Sequence, residues 1–220
     1  MASAGLGKLL VIGGGGHAWV VSEAARAQGW RVMGFFDDDP RAVVDEQTPR
    51  LGAIPDSMAA REGEADDQPA RTIIALGSIE VRARLIRELG GLFATVVHPL
   101  SHVSPSSTVG DGTFISATAV VQGRSTIGGH GIINTGAIVE HDCTLGRNVH
   151  IAPRAVLGGG VRVGDDSLIG LGASVRPGIR IGSGCIVGVG AAVIRDVKDG
   201  EKVVGVPARP VEWWTEGDSG

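Results

Sequence analysis

Tyrosine is absent from this 220-residue chain and phenylalanine occurs four times, too few rings for a core built on aromatic anchors. The two cysteines, Cys143 and Cys185, are too few for a disulfide framework. No apolar run approaches the ~20 residues of a membrane-spanning helix. The amino terminus has no basic stretch, apolar segment or cleavage site of a secretory leader. A cytoplasmic protein with no membrane insertion is therefore expected. Basic charge is also short: the formal net charge is −4, which leaves no electrostatic footprint for nucleic acid. Between Asp37 and Asp67 ten acidic residues face three basic ones, the composition of a solvated polar surface.

What the chain has instead is a period. From Val97 to Val193 every sixth residue is Val, Ile or Leu, 17 positions in succession. No helix repeats every six residues, and an ordinary sheet does not hold one phase for so long. A hexapeptide repeat is the mark of a parallel β-helix. Each unit reads as a short strand and a turn, three units close a triangular coil, and coils stack about 4.8 Å apart. Two positions before the next aliphatic stands a second, mostly small residue, such as Ser125, Ala137, Cys143, Ala155 and Cys185. A narrow prism has room for little more, so both cysteines are expected as core fillers. Glycine commonly follows the aliphatic, as at Gly128, Gly146 and Gly170, where a corner needs an unusual φ or a close backbone approach. No unit carries an insertion, so no protruding arm is expected.

The first ninety residues follow another pattern. Lys8–Ile12 reads as a buried strand ending in Gly13-Gly14-Gly15-Gly16, followed by a helix from about His17 to Gln28. Arg31–Phe36 is a second strand ending at Asp37-Asp38-Asp39. Arg71–Leu76 is a third, with Gly77-Ser78 and a helix to about Leu89 behind it. The expected architecture is mixed: a small parallel α/β domain over residues 1–95, then a parallel β-helix over 96–220. Gly13-x-Gly15-x-x-Ala18 approximates a dinucleotide fingerprint, but about three strands are too few for a full dinucleotide domain. What remains is a glycine-lined turn at a helix N-terminus, suited to phosphate, with Asp37 or Asp38 placed for a ribose or base.

Among six histidines, His98, His102 and His130 read as structural or surface residues. Glu140-His141-Asp142 occupies one corner of the prism, where a histidine beside a carboxylate is a candidate general base. One coil later comes Gly159, whose N–H is a candidate oxyanion donor. His130, His141 and His150 fall on three phases of the repeat, so no zinc site within one chain is expected.

These features together resemble the bacterial sugar acetyltransferases of the sialic acid O-acetyltransferase and amino-sugar N-acetyltransferase family. The resemblance rests on the Gly-Gly-His turn, Phe36-Asp37-Asp38, Ala75-Leu76-Gly77, Asn134-Thr135 through Asp142, and Gly205-Val206-Pro207-Ala208-Arg209. It implies a left-handed β-helix, a homotrimer with active sites between neighbouring prisms, and acetyl-CoA as co-substrate without a metal. It implies that Gly15, Gly16, His17, Asp37, Asp38, Gly77 and Arg82 grip a nucleotide-sugar. His141 matches the family's base, with Glu in the relative where this chain has Asp142. His150 matches a residue near the thioester carbonyl, and Leu171, Gly172, Val189 and Gly190 a pantetheine track. The likeness is nearest to GDP-perosamine N-acetyltransferases, which act on the 4-amino group of a 4-amino-4,6-dideoxy sugar in O-antigen and lipopolysaccharide biosynthesis. Three rivals remain: a sialic acid or other sugar O-acetyltransferase, a zinc carbonic-anhydrase-like β-helix, and a non-catalytic assembly module. Trp213 and Trp214 suit a cover over the prism end or a neighbour's face, or a place near the coenzyme. The sequence does not choose.

Overall fold

The computed structural model describes residues 6–58 and 69–211; Trp213 and Trp214 lie outside them, as does much of the acidic stretch ending at Asp67. The described chain divides into two compact units, one of residues up to Pro99 together with Asp111–Phe114, the other of Leu100–Gly110 and everything from Ile115.

In the amino-terminal unit, β1 (Lys8–Ile12) leads into α1 (Gly16–Gln28), then β2 (Arg31–Phe36), β3 (Arg50–Gly52), β4 (Arg71–Ile74) and α2 (Ile79–Glu88). The sheet order is β3-β2-β1-β4, parallel throughout. β3 goes beyond the three strands expected; at three residues ending in glycine it carries no alternation to read. The near-continuous apolar run of β1 puts that strand in the interior, and Thr72, Ile73 and Ile74 of β4 are buried beside it. Leu10, Ile12, Phe36, Met58, Ile74, Leu85 and Leu89 form a buried cluster between sheet and α2. Gly29 closes α1 with φ +107, its N–H donating to the carbonyls of Ala25 and Arg26. Ser78 caps α2, its side chain accepting from the Val81 N–H. The loops after β1, β2 and β4 meet at the carboxyl end of the sheet: Gly13 N–H donates to the Phe36 carbonyl at 2.8 Å, and Ala75 N–H to that of Ile12 at 2.8 Å. That edge is where open parallel sheets bind ligands.

The second unit is the parallel β-helix that the period of six requires. Up to Val193 its strands are two residues long and pair in parallel with the strand 18 positions on, as Ile138↔Val156 and Val139↔Leu157 do; Lys202–Val204 and the antiparallel Arg209–Pro210 close the stack. The second residue of each strand points inward: Val121, Ile133, Val139, Ile151, Leu157, Ile169 and Val187 are fully buried. The small phase is buried with them, including both free thiols, Cys143 and Cys185.

Two structural jobs that the sequence merges fall at different positions of the six-residue unit. The glycines directly after the aliphatics solve a contact problem: a Cβ on Gly128 would stand 2.4 Å from the Gly146 carbonyl oxygen of the next coil. Positive φ falls two residues later. From Gly112 to Gly190 every sixth residue adopts it, and half of them are not glycine, among them Thr118, Arg124, His130, Asp142, Asn148, Arg154 and Asp166. Corner geometry therefore places polar side chains as well as glycines in the left-handed region.

By alternation the first residue of each strand faces outward, and the three walls differ. One carries Phe114 and Ile132, both buried, then the half-buried His150, Leu168 and Ile186; the next carries Val120, Ile138, Val156 and Ala192, half-buried, with the exposed polar His102 and Ser174 among them; the third carries Thr108, Thr126, Thr144, Arg162 and Arg180, all exposed. Two walls thus present aliphatics and one presents only polar groups.

Candidate active site

At the carboxyl edge of the small sheet, Gly13 takes φ +110, and a Cβ there would meet the Ala75 carbonyl oxygen at 2.8 Å. Only glycine makes that turn without strain. Gly15 and Gly16 face open space. Gly15 is the N-cap of α1 without a side-chain cap, so the first N–H groups of the helix are left for an anion. Gly77, after β4, also faces open space.

Asp37 is already at work: its carboxylate accepts from the Gly14 N–H at 2.7 Å and from the Asp39 N–H at 2.8 Å, pinning the glycine turn to the end of β2. Asp38 accepts from the Ile54 N–H at 3.0 Å. Arg50, which the sequence reading passed over, reaches across from β3 and donates to the Asp37 carbonyl at 2.6 Å. Its Nε is buried and finds no acceptor among the described residues. The residue carries no motif and sits within an acidic stretch, so only the pairing of β3 with β2 reveals it.

Arg82 requires a correction. It was expected to grip the nucleotide, but its exposure is 1 % and its guanidinium donates to the carbonyls of Ile74 and Leu76 at 3.3 and 3.4 Å. The chain uses it to satisfy the end of β4 from inside, and burial lowers it to about 10.

His17, at the start of α1, packs edge-on against Phe114 with ring centroids 5.6 Å apart. Its Nε2 is sealed from water and has no partner among the described residues. Burial, aided by the positive charge of Arg82, pushes the imidazole from 6.5 down to about 4. The unfolded chain takes up the proton near its ordinary value, so stability from the neutral ring is complete above pH ~6.5 and is lost as the pH falls toward 4. The unfolding free energy measured with urea is expected to drop by about 2 kcal/mol from this residue between pH 7 and pH 5. His17→Gln is expected to lose that part of the dependence; an unchanged slope would remove the assignment.

In the β-helix, His141 sits on the corner after Ile138–Val139 with its side chain 58 % exposed. Its Nδ1 is 2.7 Å from Asp142 Oδ2, so the shorter acid reaches the ring. Asp142 has φ +61, which turns its carboxylate back along the corner. One coil earlier, Arg124 forks onto the same carboxylate, Nε to Oδ1 at 2.6 Å and Nη2 to Oδ2 at 2.7 Å. The hydrogen bonds from Arg124 and then His141 hold the Asp142 carboxyl far below its ordinary range. An ionised carboxylate accepts, so Nδ1 carries the hydrogen and Nε2 offers its lone pair. Arg124 was also missed, although its offset of one coil from Asp142 is legible in the sequence.

Gly159 lies directly over His141: a Cβ there would stand 2.6 Å from Cε1 and 2.7 Å from Nε2. The coil is tied down beside it by Gly160 N–H donating to the His141 carbonyl at 2.9 Å. The Gly159 N–H itself donates to nothing among the described residues.

His150 occupies a different wall, with Nε2 3.1 Å from Asn134 Nδ2. Asn134 is itself held by Thr135, whose N–H donates to Oδ1 at 2.8 Å. Leu171 and Val189, 46 % and 67 % exposed, stack one coil apart on the next corner, where Gly190 N–H donates to the Leu171 carbonyl at 2.8 Å. Gly172 and Gly190 take the left-handed corner position beside them. The structure therefore makes two groups of these residues, His141–Asp142–Gly159 on one corner and Leu171–Gly172–Val189–Gly190 on another. Both thiols are raised by burial and are turned into the prism, Cys143 toward the Gly158 carbonyl and Cys185 toward that of Lys198.

Residues 8–89 match the family described as the PglD N-terminal domain. The acetyltransferase domain of PglB from Neisseria gonorrhoeae superposes with a TM-score of 0.84 at 37% identity, covering 93% of this chain and 99% of that one. GDP-perosamine N-acetyltransferase from Caulobacter crescentus, solved with CoA and GDP-perosamine, gives 0.83 at 38% identity, covering 96% and 100%. The chain belongs to the bacterial nucleotide-sugar acetyltransferase family. It is an acetyltransferase, built as a small α/β domain followed by a left-handed β-helix. WeeI from Acinetobacter baumannii, at 26% identity and a TM-score of 0.81, covers 93% of this acetyltransferase and 100% of its own chain. Comparison with curated proteins gave no match. No described helix is long and apolar enough to cross a membrane.

Proposed function

We propose that this acetyltransferase moves the acetyl group of acetyl-CoA onto the 4-amino group of a nucleotide-linked 4-amino-4,6-dideoxy sugar, with GDP-perosamine as acceptor and His141 as general base. The observation that carries the reading is the His141–Asp142 pair, fixed at 2.7 Å on a rigid corner beneath a glycine whose N–H has no acceptor among the described residues. The relative from Caulobacter crescentus adds weight, since its structures, including histidine-to-alanine and histidine-to-asparagine variants, contain CoA and GDP-perosamine.

The uncapped start of α1, with Gly15, Gly16 and Gly77 open around it, takes the phosphates. Asp38 and the buried edge of Arg50 lie on the side of the nucleoside, and His17 and Asp37 shape the turn. The neutral amine attacks the thioester carbon, and charge develops on the carbonyl oxygen, where the Gly159 N–H donates. His141 Nε2 takes the proton released by the nitrogen. The carbon–sulfur bond then breaks, and the thiolate leaves with that proton as CoA thiol. Asp142 orients the ring and stabilises the imidazolium without accepting its proton. No covalent intermediate on the enzyme is required.

A homotrimer completes this reading. Leu171 and Val189 offer an exposed apolar strip for pantetheine with Gly172 and Gly190 beside it, and His150 lies one wall back. They stand on a different corner from His141, and two of the three walls present aliphatics. A second and third copy of the prism cover those walls and bring one chain's coenzyme strip to another chain's base.

Purified enzyme is expected to release CoA thiol with GDP-perosamine and not with sialic acid, followed by thiol detection. Release with the hydroxyl acceptor alone would overturn the amine assignment in favour of O-acetylation, and release with neither would overturn both.

A further inference from the structure

A general base in this reaction has two duties that pull against each other. It must take a proton from nitrogen, and it must then give that proton to the leaving sulfur. A lone carboxylate behind an imidazole helps the first and hinders the second, because it holds the imidazolium too firmly. In this chain the carboxylate is not alone. The Arg124 guanidinium grips both Asp142 oxygens at 2.6 and 2.7 Å, and one of them, Oδ2, is the oxygen that meets His141 Nδ1 at 2.7 Å.

We propose that Arg124 is a positioning residue for His141: it fixes which carboxylate oxygen faces the ring and offsets that carboxylate's pull on the proton. The inference rests on the reading of His141 as the base. The two-bond fork is the geometry a guanidinium makes with a carboxylate and an ammonium cannot. Coil register supplies the rest. Arg124 and Asp142 are equivalent corner positions one coil apart, both at positive φ, +59 and +61, so their side chains leave the backbone alike and lie side by side. Asp142 N–H donates to the Gly123 carbonyl at 3.1 Å, which locks the two corners together.

The other groups around the ring are accounted for. The coil beyond presents Gly158, Gly159 and Gly160, and the coil before presents Gln122 and Gly123 beside Arg124. On its own corner Glu140 precedes His141, and the Cys143 thiol is turned inward, 3.3 Å from the Gly158 carbonyl. Asp142, Arg124 and Glu140 are therefore the charged neighbours. Asp142 and Arg124 are bonded into the pair. Because both are exposed, their ion pair adds little to fold stability, and its removal is read in the chemistry rather than in unfolding.

The experiment uses the full-length enzyme as wild type, Arg124→Met, Arg124→Lys and His141→Asn. It records kcat against pH with both substrates saturating, the KM for acetyl-CoA, and the ring resonances of His141 by NMR without substrate. In Arg124→Met the carboxylate loses its countercharge, so the proton is held on the ring to higher pH. The acid limb of kcat and the His141 resonance are expected to move up together, with kcat at pH 7 down roughly threefold to tenfold and KM for acetyl-CoA unchanged. Arg124→Lys keeps the charge but not the fork, and is expected to restore the limb with kcat between the other two. An unmoved limb in Arg124→Met overturns the inference, whether or not kcat falls. Wild-type turnover in His141→Asn overturns the base reading, a separate failure, because the NMR titration of Arg124→Met still reports on the pair.

Discussion

Replacing His141 by Asn is expected to lower kcat for the proposed amino-sugar acceptor by about 10²- to 10⁴-fold, with the KM for acetyl-CoA nearly unchanged. Asparagine keeps the polarity of the corner and a donor toward Asp142, whose carboxylate remains held by Arg124. What it removes is the lone pair at Nε2. The site then binds both substrates but has no group to take the proton as nitrogen attacks. The strip proposed for the coenzyme, Leu171 and Val189, is on another corner, so affinity for the donor is expected to be spared. A steady-state assay over pH 6 to 9 checks this, and the residual rate is expected to lose its acid limb. Wild-type turnover across that range would mean that the amine sheds its proton to water and that His141 only shapes the corner.

The same corner shows what can be read from sequence and what cannot. The prism was legible because its physics is one-dimensional. One inward aliphatic per wall and one small filler per corner leave a period that no other fold keeps, and Val97 to Val193 obey it without a gap. Register follows from the period, so Gly159 could be placed over His141 by counting one coil. Which position of the unit bends the chain was not legible. The glycines after the aliphatics relieve a backbone contact, while the bend falls two residues later on residues such as Arg124 and Asp142. Counting one coil sets Arg124 beside Asp142, but only the shared positive φ of the two corners turns their side chains together into an ion pair. The small domain gave less. Its glycine turn was plain, but a strand of three residues carries no pattern, and with β3 hidden Arg50 had no place. Arg82 is a different case. The family resemblance alone made it a nucleotide contact, and the fold shows its guanidinium turned inward to the carbonyls of Ile74 and Leu76.

Gly159→Ala is expected to lower kcat by about 10²-fold, the lower end of the loss expected for His141→Asn, from a single methyl group. The added Cβ would stand 2.6 Å from His141 Cε1, too close for both to stay, and the backbone beside it is anchored by Gly160 N–H on the His141 carbonyl. The freer partner is the imidazole, which must swing outward. Doing so breaks its 2.7 Å contact with Asp142 and takes Nε2 away from the reacting nitrogen, where a displacement near 1 Å is enough to produce such a loss. The variant keeps the Gly159 N–H, so the effect separates the position of the base from the donation of the backbone. Gly160→Ala is the control. It strains a residue at φ +71 but meets open space, so it is expected to cost roughly 1 kcal/mol of stability with kcat within a few-fold of wild type. The discriminating result is therefore the contrast between adjacent glycines. If both variants turn over alike, the ring does not need the place it occupies under Gly159, and the corner owes its activity to the backbone alone.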